Sequence, residues 1–239
     1  MKNCVLGLAA LAAVAGVAGA HTTYLDPFGV GGDVDPFFLN QGFNHLDLMA
    51  VEMFNDNGLV DVDVVVNANI QSGTGTDWGK FLMFLDVRPG GRTDNPWGRN
   101  ITTTSGADFY IGGWADGGGG AQLWEDTGGG WNLLSQSGNP GAHVSVDLTN
   151  ASAGVWSLTI DQAVLGITGG QSIFVDFATT GGSGGDPGVD HLSLSTVATP
   201  DWGTGSTSGG FLKYEVEPTP GSLAVLGVAG LLASRRRRA

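Results

Sequence analysis

The 239-residue sequence has a single cysteine, Cys4. It sits in an apolar leader that is expected to be removed. A mature chain would then hold no disulfide, no thiolate metal site and no catalytic thiol. Bases are nearly as scarce. Between residues 21 and 217 there are Lys80, Arg88, Arg92, Arg99 and Lys213, against all 23 acids; five against 23 leaves −18 with histidine neutral. Such a surface repels nucleic acid and anionic lipid, both of which are bound through basic patches, so no nucleic-acid partner is expected. Helical periodicity is almost absent from the same span. No apolar run reaches the ~20 residues that a helix needs to cross a bilayer. His-Glu-x-x-His and a phosphate-binding loop are missing too. What remains is about 200 residues, enough for one large β domain with a real core.

The two ends carry addresses. Lys2, an apolar stretch over residues 5–17 and Ala18-Gly19-Ala20 have the three regions of a secretory signal peptide, with cleavage after Ala20 exposing His21. At the other end stand Pro218-Thr219-Pro220-Gly221-Ser222, a short apolar run over 223–233, and Arg235, Arg236, Arg237 and Arg238. The arginine cluster would stay on the cytoplasmic side and hold the inner membrane through this segment. This tail resembles the PEP-CTERM class of bacterial sorting signals. The resemblance implies recognition of Pro218, Thr219, Pro220 and Gly221 by an exosortase, with Arg235 to Arg238 as the retention cluster; Thr219 stands where that family usually has Glu. The expected organisation is therefore a signal peptide over 1–20, an ectodomain over 21–216 and a sorting segment over 217–239. The protein would be exported, anchored through its C-terminus, then passed to the cell surface or extracellular matrix. An uncut tail anchor is the alternative.

Strand signals recur along the body, separated by turns rich in the 42 glycines. The clearest is a hairpin: residues 45–53, then Asn55-Asp56-Asn57-Gly58, then 59–66. Asn-Gly supplies the positive φ angles of a tight hairpin turn. Val60, Val62, Val64 and Val66 fall on one face, with Asp61 and Asp63 on the other, the alternation of a half-buried antiparallel strand. Further strands are expected over 80–87, 107–114, 121–125, 143–148, 155–160, 172–177, 191–195 and 211–216. Residues 162–166 read as one short helical turn. The set predicts an all-β, antiparallel, jelly-roll-like β-sandwich, flanked by an N-terminal signal helix and a C-terminal hydrophobic helix.

The richest stretch holds Asp86-Val87-Arg88-Pro89-Gly90-Gly91, Asn95-Pro96-Trp97-Gly98-Arg99, residues 106–114 and Ala121-Gln122-Leu123-Trp124. With Trp156 to Ile160 and the turn after it, these residues resemble the DOMON-like and family-9 carbohydrate-binding modules over roughly residues 46–177. The resemblance implies a jelly roll and, in the sugar binders, a pair of tryptophans clasping a sugar. Trp156, beside Val155 and Leu158, reads as core. Trp78, Trp97, Trp114, Trp124, Trp131 and Trp202 lie in or next to polar, Gly-rich segments. Flat rings beside Asp, Asn and Arg can stack on sugar C–H faces while polar neighbours bond the hydroxyls; covering the sandwich edge is the plainer role. The candidate ligand-binding set is Trp78, Trp97, Arg99, Trp114, Trp124 and Trp131. Arg88, Arg92 and Arg99, near Asp86 and Asp94, read either as loop-pinning ion pairs or as ligand contacts.

Calcium is the candidate cofactor. Asp26 with Asp33-Val34-Asp35, and Asp186 with Asp190, are Asp-Gly stretches that could supply oxygen ligands or simply form turns. His21, if exposed by cleavage, is half of a copper brace, with His45, His143 or His191 as partner, which would make the chain a copper-dependent polysaccharide oxidase. Glu52 and Glu125 are the only acids that suggest a glycosidase pair. Met49, Met53 and Met83 read as core filler. The expectation is a non-catalytic binder of carbohydrate or matrix polymer, with a purely structural matrix component as the alternative. Mass spectrometry of the protein from its own cells should find His21 as the first residue and the arginine tail removed. Retention of both Met1 and Ala239 in a cytosolic protein would overturn the export reading.

Overall fold

Asn57 and Gly58 both adopt positive φ, 49° and 83°, and so turn the chain in the two residues that an Asn-Gly pair favours. They join the first long hairpin of a computed structural model that describes residues 21–218. The signal segment 1–20 and the tail residues Thr219, Pro220, Gly221 and Arg235 to Arg238 lie outside the described residues.

In chain order the strands are β1 (His21–Leu25), β2 (Leu48–Asp56), β3 (Leu59–Val66), β4 (Lys80–Asp86), β5 (Ile101–Thr102), β6 (Phe109–Trp114) and β7 (Gly120–Asp126). After them come β8 (Trp131–Gln136), β9 (Val144–Asp147), β10 (Val155–Asp161), β11 (Ser172–Thr180), β12 (Gly188–His191), β13 (Ser206–Thr207) and β14 (Leu212–Glu215). A short helix, α1 (Pro36–Leu39), precedes β2; Asp35 caps it by accepting from the Phe37 N–H, and Pro36 opens it at no hydrogen-bonding cost. Among the described residues no helix is long and apolar enough to cross a membrane.

The strands form two antiparallel sheets. One runs β1-β2-β3-β10-β9; the other runs β12-β11-β4-β6-β7-β8, with β14 also paired to β11. β5 and β13 make a small parallel pair in the loops. The inner faces meet in one apolar core. Val60, Val62, Val64 and Val66 point into it from β3, while Asp61 and Asp63 stay outside, as the alternation requires. Met53 and Met83 also lie in this core. Trp156 crosses from β10 to the other sheet, stacking on Phe81 with ring centres 5.3 Å apart and 25° between planes. Its indole occupies the space where a Cβ on Gly113 would be.

Some expected bounds shift. The strand expected at 191–195 instead ends at His191, because Leu194 turns back to donate to the His191 carbonyl. Residues 162–166 form hydrogen-bonded turns without helix. β1 and β8 carry no clean alternation of apolar and polar residues, which is why the sequence does not announce them.

Truncating Trp156→Ala should destabilise the fold by about 3–5 kcal/mol. Gly113→Ala should also destabilise, by roughly 1–3 kcal/mol, since the added methyl meets the Trp156 indole. Gly129→Ala, where a Cβ meets nothing, should stay within about 0.5 kcal/mol of wild type. Chemical denaturation of the three variants checks this order.

Candidate functional site

The outer face of the larger sheet is itself apolar and aromatic. Leu82, Phe84, Tyr110 and Ala178 project from the strands, and Ile101, Trp97 and Phe211 reach over them from loops. Trp114, Trp124 and Trp131 stand on β6, β7 and β8 at the same face. Two glycines make the flat seats: a Cβ on Gly112 would land in the Trp97 indole, and one on Gly120 in the Trp114 indole. The Trp97 and Trp114 ring centres are 6.3 Å apart and their planes 40° apart. Tyr110, fully buried beneath, lies 5.8 Å from Trp97 and 6.2 Å from Trp131. All four tryptophans are half-buried.

Polar groups hold the rings in place. The Gln122 side-chain oxygen accepts from Trp97 Nε1 at 2.9 Å and from Trp124 Nε1 at 3.3 Å, and its Nε2 donates to Gln136 Oε1 at 3.0 Å. Asp94 accepts from Trp131 Nε1 at 3.1 Å and from two Arg92 nitrogens at 2.7 Å each. Hydrogen bonding to Arg92 holds the Asp94 carboxyl below the usual carboxylate range. Arg88 pairs with Asp108 at 3.3 Å and Glu125 at 3.2 Å. For Arg88 and Arg92 the ion-pair role is therefore the one the structure displays.

Two members of the expected set sit elsewhere. Arg99 is buried under the face: its guanidinium stacks over Trp97 at 5.6 Å, donates to the Ser183 carbonyl and lies 3.8 Å from Asp186. Burial lowers its pKa, and the side chain is turned away from solvent. Trp78 belongs to a separate aromatic group with Phe43, His45 and Trp202, 4.4 Å from the His45 ring. Spacing along the chain could not separate these positions from the other four, because the sorting depends on which face of which strand or loop each one occupies.

The histidines do not converge. His21 on β1 contacts Glu52 at 3.1 Å, at one edge of the five-stranded sheet. His143 pairs with Asp161 at 3.2 Å beside β9, the opposite edge. His45 is buried against Trp78, with a pKa lowered to about 4 by burial. Glu52 and Glu125 lie on different sheets, so they make no glycosidase pair. The string Gly181-Gly182-Ser183-Gly184-Gly185 has the letters of a nucleophile elbow but links one strand to another, with no helix behind it.

His191 forms an arrangement that the sequence does not reveal. Its Nδ1 is 3.0 Å from Asp176 Oδ2 and its Nε2 is 3.0 Å from Ser206 Oγ, the order of a Ser-His-Asp triad. All three are buried, however, and the Gly188 N–H donates to Ser206 Oγ at 2.9 Å. Both imidazole nitrogens and the Ser206 hydroxyl are thus engaged within the fold, and Ser206 is 3% exposed. It fastens the β13 segment to the outer face of β11 and β12. An open groove of about 640 Å³ at the hairpin end, lined by residues 57–59, 161–163 and 167–169, contains neither these groups nor an aromatic ring.

The acidic stretches do converge. Carboxylate oxygens of Asp26, Asp33 and Asp190 lie within 4.8 Å of one another, all three buried. Asp47 is buried beside them, and its charge acts on each. Burial first, then repulsion from the neighbouring carboxylates, pushes Asp26 up to about 8 and raises Asp190; burial first, with the Asp47 charge adding to it, brings Asp33 up to about 6; burial raises Asp47 against the pull of its Asn67 and Gly29 hydrogen bonds. Asp35 is instead the cap of α1, and Asp186 faces Arg99 and the Ser183 N–H.

A fluorophosphonate probe should leave native Ser206 unlabelled, and Ser206→Ala should cost about 1–3 kcal/mol by orphaning His191 Nε2 and the Gly188 N–H. Labelling of the folded protein would show the triad to be accessible. No family model matches this chain, and no curated protein matches it either.

Proposed function

We propose that this is an exported, non-catalytic β-sandwich protein whose outer aromatic face binds carbohydrate or an extracellular matrix polymer. The observation that carries the reading is the placement of Trp97, Trp114, Trp124 and Trp131 on one sheet face, each half-buried, with the Gln122 and Gln136 amides among them. Indole faces stack on the C–H faces of a sugar ring, and side-chain amides bridge neighbouring hydroxyls. A balance of −18 suits a neutral polymer rather than an anionic one. The same reading takes the sandwich as a jelly roll of the DOMON-like or family-9 type. It takes the ends as a signal helix and a PEP-CTERM segment, cut by an exosortase at the inner membrane before release to the cell surface or matrix.

One observation favours a structural matrix component instead. The indole N–H groups of Trp97, Trp124 and Trp131 are already bonded to Gln122 and Asp94, which suits a face built to pack. Polysaccharide pull-down and glycan-array binding separate the two. Carbohydrate binding should weaken roughly tenfold in Trp97→Ala or Trp114→Ala, in line with about 1.4 kcal/mol per stacking ring, and stay unchanged in Trp78→Ala. A folded wild type that answers no glycan yet self-associates with concentration would favour the matrix role.

A further inference from the structure

Four carboxylate oxygens at one end of the sandwich are buried without any hydrogen-bond partner: Asp26 Oδ2, both Asp33 oxygens and Asp47 Oδ1. Asp33 is 2% exposed and Asp47 0%. Two of the other four oxygens in the group are pinned in place. Asp47 Oδ2 accepts from the Gly29 N–H at 2.9 Å and from Asn67 Nδ2 at 3.0 Å, and Asp190 Oδ2 accepts from the Leu48 N–H at 2.7 Å. Those bonds fix the Asp47 and Asp190 carboxylates beside the oxygens of Asp26 and Asp33. Among the described residues no Lys or Arg pairs with any of the four acids.

A buried carboxylate oxygen without a hydrogen bond or a counter-ion is unfavourable, and four such oxygens gathered at one end of the fold are more so. We infer that Asp26, Asp33, Asp47 and Asp190 form a calcium-binding site that ties the two sheets together. The ligand chemistry selects the ion. The donors are all carboxylate oxygens, the choice of a hard cation, and no histidine or cysteine joins them among the described residues. Oxygens across a calcium ion stand about 4.6–5.2 Å apart at ordinary bond lengths of ~2.3–2.6 Å, and those of Asp26, Asp33 and Asp190 lie within 4.8 Å. Asp33, with both oxygens free, is placed to bind through both.

Three of the ligands come from the stretch between β1 and β2, and the fourth from far along the chain. Asp26 follows β1, Asp33 lies in the loop before α1, Asp47 leads into β2, and Asp190 is on β12. The first three belong to the five-stranded sheet and its approach, the last to the edge of the larger sheet. With no disulfide available in the body, one cation bridges the sheets where a covalent link would otherwise serve. This site is separate from the aromatic face and does not depend on the carbohydrate reading.

The protein, stripped with EDTA and titrated with calcium chloride by calorimetry, should bind calcium, and its Tm should rise by roughly 5–10 °C at a hundredfold excess over Kd. Asp33→Asn and Asp190→Asn should abolish that rise. In EDTA, however, both variants should melt at or above the wild-type temperature, because each removes one of the crowded charges. That opposite sign separates lost ligation from simple misfolding. Asp35→Asn, which removes a nearby charge outside the cluster and keeps an oxygen to cap α1, should keep the calcium response. A wild type whose Tm ignores calcium, or Asn variants that melt below wild type in EDTA and respond to calcium alike, would overturn the proposal. An equal response to magnesium would overturn the choice of calcium.

Discussion

Two adjacent glycines in β6 set the thickness of this protein. Gly113 faces inward and receives the indole of Trp156 from the opposing sheet; Gly112 faces outward and receives that of Trp97 from a loop. A sheet residue with any side chain at either position would lift its tryptophan off the strand. Through Gly113 the two sheets close to a dry contact, and through Gly112 the long loop after β4 lies flat on the far side. The core and the candidate binding face are thus supported by neighbouring residues on opposite sides of one strand.

Charge is distributed by the same economy. Most of the 23 acids stand on the surface or in turns, where water screens them. Four are drawn inside at one end of the sandwich, and a further one, Asp176, is used to orient His191. Arg88, Arg92 and Arg99 are all spent on loops around the aromatic face. Arg88 reaches the buried Asp108, but among the described residues no lysine or arginine pairs with the four-acid cluster, and that is why a cation is the natural partner of that cluster rather than an arginine.

The hairpin of β2 and β3 was legible in advance because its information is local. Asn57-Gly58 dictates the turn, and the valines at every second position dictate the face. Trp156 as core was legible for the same reason. The tryptophan set was legible in kind but not in membership: Trp78 differs from Trp97 only in which loop carries it and where that loop folds. β12 was misplaced because Asp190 and His191, two polar residues in succession, are both buried by networks that reach across more than a hundred residues in one case. Period-two patterning has no way to register such partners.

The sequence by itself determined an acidic, essentially cysteine-free body built from antiparallel strands, because alternation, turn chemistry and composition act over a few residues. Only the tertiary structure decided which tryptophans share a face, that His191 is locked between Asp176 and Ser206, and that Asp26, Asp33 and Asp190 meet with Asp47 buried beside them. Those outcomes depend on sheet order and on loops closing over distance, and such contacts leave no periodic trace along the chain.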